Sequence, residues 1–110
     1  LLELAWAACA ALEASDAPSF VKAARAFGGA LAALGRAADV PIVLPAFAQL
    51  ALAAEQEEAA FLPSGAGGGD VGVWISTALP STEFAERAKG LSMRPLPLSM
   101  DAAGVRPHPA

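Results

Sequence analysis

Four glycines occupy five successive positions within Pro63-Ser64-Gly65-Ala66-Gly67-Gly68-Gly69-Asp70, and the apolar run Val71-Gly72-Val73-Trp74-Ile75 follows at once. Glycine lacks a Cβ and tolerates positive φ. Successive N–H groups of such a loop can therefore turn inward and form an anion-binding nest, with phosphate as its natural occupant. Known glycine-loop chemistries differ from this one. A Walker A loop ends in Gly-Lys-Ser/Thr, whereas this loop ends in Gly-Asp. The letters of a dinucleotide fingerprint occur in Gly67-x-Gly69-x-x-Gly72, but a strand follows where a helix should start. The protein-kinase glycine loop also joins two strands, yet the lysine-bearing and catalytic motifs of that fold are absent. The plain alternative is a ligand-free turn, although two residues suffice for a turn.

The remaining reactive side chains form no complete catalytic set. Cys9 is the single cysteine. It has no His or acidic partner in the sequence, so a small buried apolar side chain in a reducing, cytoplasmic compartment is expected. Glu55, Glu57 and Glu58 lack metal-ligand spacing and read as the solvated end of a helix. His108 stands alone in a proline-rich tail. Trp6 and Trp74 are expected in a core or at a domain interface, and Lys89 and Arg94 on the solvated surface.

The chain has 110 residues, 55% hydrophobic and 16% charged, with a formal net charge of −4. That apolar content can fill the core of one small domain. The seven basic residues are scattered and no basic patch is visible, which excludes a nucleic-acid surface. An acidic chain that holds phosphate must use backbone N–H groups or borrow cations from a partner segment. No apolar run reaches the ~20 residues of a membrane span, and no basic region marks a signal peptide. The chain opens inside a helical pattern, so its first residue is expected to be a cut rather than a natural beginning.

The loop needs elements to hold it. Leu1, Leu4, Ala5, Ala8 and Leu12 recur at helical spacing, which predicts a helix over 1–14. Asp16 is a fitting N-cap and Pro18 suits a first helical turn. A second helix follows to Ala38, with Phe20, Ala24, Phe27, Leu31 and Leu34 as its stripe. Gly28-Gly29 within it suggests close helix contact or a bend. Pro45 opens a third helix reaching about Glu57, with Phe47, Leu50, Ala51 and Ala54 inward. Ala59–Leu62 and Val71–Thr77 read as strands flanking the loop. Pro80-Ser81 opens a fourth helix that Gly90 should close. Arg94–Met100 reads as an edge strand, with Pro95 and Pro97 aiming their missing N–H groups to one side. The order α-α-α-β-β-α-β implies an α+β domain over 1–100, with helices packed on one face of a small antiparallel sheet. A loose tail, 101–110, follows.

Pro-Ser-Gly-Ala-Gly-Gly-Gly-Asp before a hydrophobic strand resembles the third conserved motif of the GHMP kinase superfamily, most closely the phosphomevalonate kinase family within it. Arg94-Pro95-Leu96-Pro97-Leu98 is similar to the C-terminal strand of that family, and Pro45-Ala46-Phe47-Ala48-Gln49-Leu50 to a helix start between the two motifs. The resemblance covers about Leu1 to Leu98. It implies the ferredoxin-like C-terminal domain of an ATP-dependent small-molecule kinase, lacking its first strand. In such kinases Mg²⁺-ATP gives its γ-phosphoryl group to a small metabolite, here 5-phosphomevalonate of the isoprenoid route. ATP and Mg²⁺ would be bound mainly by the missing N-terminal domain, and this fragment alone would be inactive. The resemblance sets Ser64, Gly65, Ala66, Gly67 and Gly68 around the phosphate. Gly69 and Asp70 would structure the loop, since an inward carboxylate would repel phosphate. Leu62 stands where family members commonly carry lysine. Mevalonate kinase, another GHMP kinase or the related decarboxylase are alternatives within the superfamily. A non-catalytic α+β binding module is the alternative outside it.

Overall fold

The computed structural model describes residues 1–65 and 71–96. These form α1 (Leu2–Glu13), α2 (Ala17–Ala38), α3 (Pro45–Gln56), β1 (Ala60–Pro63), β2 (Gly72–Ile75) and α4 (Thr82–Gly90). The result is an α+β domain with a two-stranded antiparallel sheet. Arg94–Leu96 is not in a strand, and positions 97–100 lie outside the described residues.

Helix boundaries follow capping chemistry. Asp16 caps α2: its carboxylate accepts the Ser19 hydroxyl at 2.6 Å and the Ser19 N–H at 3.2 Å. Those two bonds, the hydroxyl first, hold the Asp16 carboxyl below its ordinary range. The anionic cap therefore supports α2 above the usual carboxylate range, and that support is lost as pH falls through the lowered value. All four helices end the same way. Ser15, Asp39, Glu58 and Ser92 take left-handed φ of 56°, 56°, 56° and 64°. Each sits just past its helix, and the next N–H reaches back into the last turn: Asp16 to Ala11 O, Val40 to Gly35 O, Ala59 to Ala54 O and Met93 to Ala88 O. This is the Schellman closure, which usually employs glycine. Gly90, expected to close α4, is instead its last helical residue, and Ser92 takes the left-handed position. Gly35 serves the α2 closure, because a Cβ there would come within 2.7 Å of Val40 O.

The strands pair with Phe61 opposite Trp74 and Pro63 opposite Gly72. Alternate residues then point to opposite faces of the sheet. Ala60, Leu62 and Ile75 pack with Val21 and Ala24 of α2. Phe61 and Trp74 pack with Leu50 and Ala54 of α3 and Phe84 of α4. Helices thus cover both faces, which corrects the one-faced packing expected from the element order. The reason is legible in β1: Ala60-Phe61-Leu62-Pro63 is apolar at every position, as a strand buried on both sides must be. Gly28 of α2 faces β1, where an added Cβ would touch Leu62 Cβ at 3.4 Å. The close contact expected there is with a strand rather than a helix.

Phe61 joins the layers. Its ring centroid lies 5.5 Å from Phe47 and 5.7 Å from Phe84, and Trp74 lies 4.6 Å from Phe84. The ring also covers the backbone of Gly72, where a Cβ would overlap it. Glu57 adds a polar tie. Its carboxylate accepts the Ser81 N–H at 3.1 Å and the Ser81 hydroxyl at 2.7 Å, while Ser81 Oγ accepts the Phe84 N–H. In a capping box the Glu three residues past the cap would bond the cap's N–H. Phe84 stands there, and Glu57 from the end of α3 substitutes for it. Glu57 is therefore no part of a solvated helix end.

The terminal helix α1 departs furthest from expectation. It packs on α2 through Leu4, Ala8 and Ala11, while Leu1, Ala5 and Leu12 are exposed. Cys9 is exposed rather than buried, and Trp6 is 67% exposed. Almost every α1 side chain is apolar, so periodicity could not select one inward face. On α2, Val21, Ala23, Ala24 and Gly35 are the buried positions, and Leu34 is exposed.

Gly72→Ala should force the Phe61 ring aside and destabilise the domain by about 2 kcal/mol. Chemical denaturation checks this. Glu58→Gly should stabilise by about 0.5–1 kcal/mol, because glycine removes the Cβ strain of a left-handed residue that exceeds its own entropic cost. The same unfolding curves read both.

Candidate functional site

The loop expected to bind phosphate joins β1 to β2. The Ser64 N–H donates to Val71 O at 2.9 Å and closes the loop's base one residue pair beyond the ladder. Pro63 is buried behind it, whereas Ser64 is exposed. Gly65 follows at φ 73°, a conformation that glycine adopts without Cβ strain. Ser64 and Gly65 thus lie together at the loop mouth. Ala66, Gly67, Gly68, Gly69 and Asp70 lie outside the described residues.

Packing fixes the stem of this loop. Leu62, where the resemblance leads one to expect lysine, is half-buried against Val21 and Ala24 of α2 and Ala60 of β1. Its inward direction follows from strand alternation, so a lysine here would have to extend past α2 to reach solvent. Trp74 serves the core instead of a ligand: its ring packs on Phe84 and its Nε1–H donates to Ala78 O at 2.9 Å. Lys89 and Arg94 are exposed, as expected.

Two shallow grooves among the described residues are lined by neither Ser64 nor Gly65. One, of about 320 Å³, includes Gly35, Arg36, Asp39 and Val40, and the other, of about 260 Å³, lies between α1, α2 and the end of β2. Among the described residues no three acidic, His or Cys side chains gather to hold a metal ion. No helix is long and apolar enough to cross a membrane among these residues. Compared with known proteins, the chain matches no family model, no curated protein and no solved structure.

Sequence reasoning missed the Glu57–Ser81 tie. Ser81 was legible as a helix start, but the partner that completes its cap stands 24 positions away, beyond any local pattern.

Gly65→Ala should destabilise the domain by about 1 kcal/mol through backbone strain alone. Nothing lies within 4 Å of the added Cβ, so Gly65→Asn, which tolerates the left-handed region, should recover most of the loss in thermal unfolding.

Proposed function

We propose that this chain is the C-terminal part of a GHMP-type small-molecule kinase, most similar to phosphomevalonate kinase, and that its glycine loop cradles a phosphate during phosphoryl transfer. The observation that carries the reading is the loop itself. Pro-Ser-Gly-Ala-Gly-Gly-Gly-Asp follows an apolar strand, and the loop's base is tied by the Ser64–Val71 bond with Gly65 already in a left-handed conformation. Phosphoryl transfer demands positioning and charge stabilisation more than covalent help. Backbone N–H groups of a glycine-rich loop suit that demand.

The loop's part in the chemistry is to bind and orient. Its N–H groups and the Ser64 hydroxyl donate to phosphate oxygens, either on the acceptor or on the group in transfer. With a net charge of −4, the chain contributes little cationic field of its own. ATP and Mg²⁺ belong, on this reading, to the N-terminal domain, as do the catalytic base and most of the positive charge. The phosphorylated acceptor and that domain are the partners, in the cytoplasm.

A second reading is a non-catalytic α+β binding module whose loop senses a ligand. The observation favouring it is the packing of α2 on the second face of the sheet, which departs from the one-faced layout expected from the element order.

A coupled ATP-consumption assay on the full-length protein separates the two. Turnover with 5-phosphomevalonate and not mevalonate is expected, and Ser64→Ala should lower kcat/KM by about tenfold, the worth of one charge-assisted hydrogen bond. Turnover with mevalonate alone would keep the superfamily and change the acceptor. A folded protein that binds no ATP would leave the module.

A further inference from the structure

Hydrogen-bond parity decides which backbone groups of the hairpin point outward. The Ser64–Val71 bond and the register of the ladder make Ser64–Val71, Leu62–Val73 and Ala60–Ile75 the bonded pairs. Residues between bonded pairs turn their N–H and C=O groups away from the neighbouring strand. On β1 these are Phe61 and Pro63, with Ala59 just before the strand. On β2 they are Gly72 and Trp74.

The two edges differ. Pro63 offers no N–H. Ala59 gives its N–H to Ala54 O, and its carbonyl accepts the Arg25 Nε–H at 3.3 Å. Only Phe61 keeps both groups open on the β1 side. The β2 edge has no such guard. Residues 71–82 include no charged residue, and Pro80 is the first proline after the loop. Among the described residues no other strand pairs with this edge, and no turn or cap bonds the backbone of Gly72 or Trp74. Val71 and Val73 stand beside them, 42% and 38% exposed. An open apolar edge of this kind is a template for a further strand.

β2 fits its own edge. About a two-fold axis at Val73, Gly72 meets the partner's Trp74 in a doubly bonded pair, and Trp74 meets the partner's Gly72. Every outward N–H of the strand then finds a carbonyl. Gly72 sets no side chain against the bulky indole. On the opposite face Val73 meets the partner's Val73 and Val71 meets the partner's Ile75, so the exposed valines gain apolar cross-strand neighbours. The chain's net charge of −4 does not oppose this contact. The nearest charges in sequence, Asp70 and Glu83, fall outside the paired segment 71–75.

We propose that β2 strands of two copies of this chain pair antiparallel about Val73. The two hairpins then form one continuous sheet, with their loop mouths at opposite ends. The contact spans one short strand, so the dimer is weak and concentration-dependent. The inference does not rest on the kinase reading.

Sedimentation velocity of the chain from micromolar to millimolar concentration tests this, with amide exchange of Gly72 and Trp74 read alongside. A monomer–dimer equilibrium is expected, and both amides should gain protection as dimer accumulates. Val73→Lys and Val73→Glu each bring like charges together at the axis, and each should weaken self-association by about tenfold. Circular dichroism should show both variants folded. Mixing them should restore association, since Lys then faces Glu across the axis. Leu52→Lys, at an exposed position of α3, should leave the wild-type equilibrium unaltered. Three results would overturn the proposal: a monomer at millimolar concentration, a dimer that Val73→Lys leaves as tight as before, or protection of Gly72 and Trp74 that does not depend on concentration, which would mean that another segment of the same chain holds this edge.

Discussion

The Phe61 ring sets the terms for everything around it. It fills the space over Gly72, meets Phe47 and Phe84, and lies in a strand that helices cover on both faces. A two-stranded hairpin is marginal in water by itself. Here it gains α3 and α4 on the Phe61 face and α2 on the Leu62 face. Gly72 is the complement of this arrangement, because only a residue without Cβ leaves room for the ring. The loop between Ser64 and Val71 is then carried by a hairpin whose stem cannot tilt without disturbing aromatic contacts in two helices.

Polar ties finish what the aromatic cluster begins. Glu57 binds the cap of α4 from the end of α3, so the two helices that flank Phe61 are joined at their ends as well as through their side chains. The four left-handed closures turn each helix back within two residues, and none of them uses glycine. Such turns carry Cβ strain. They persist here because the residue after each turn is recovered by a backbone bond and, for Ala59, by full burial.

Much of this was legible in the sequence. Asp16 and Ser81 announced helix starts, Pro45 opened α3, and the inward set Phe47, Leu50 and Ala54 followed from spacing, because each signal is local. Three features were not legible, each for a physical reason. The covering of both sheet faces depends on which helix returns to which side, and α2 and α3 carry similar apolar stripes. The outward Cys9, Trp6 and Leu12 could not be separated from an inward set in a helix that is apolar on every side. The Glu57 cap joins residues far apart in the chain. Of the candidate site, Ser64 and Gly65 fall at the hairpin mouth where the glycine pattern set them, while Ala66–Asp70 lie outside the described residues.

Packing fixes the stem, and the proposed anion cradle would rest on backbone N–H groups and the Ser64 hydroxyl. The most direct measurement is a ¹H–¹⁵N spectrum of this chain titrated with inorganic phosphate at constant ionic strength. The amides of Ser64, Gly65 and the glycines that follow should shift together along one saturable curve, while Leu62, Val73 and Trp74 in the stem stay fixed. Shifts confined to other parts of the chain, or loop amides unmoved at high-millimolar phosphate, would contradict the claim that this loop is an anion cradle.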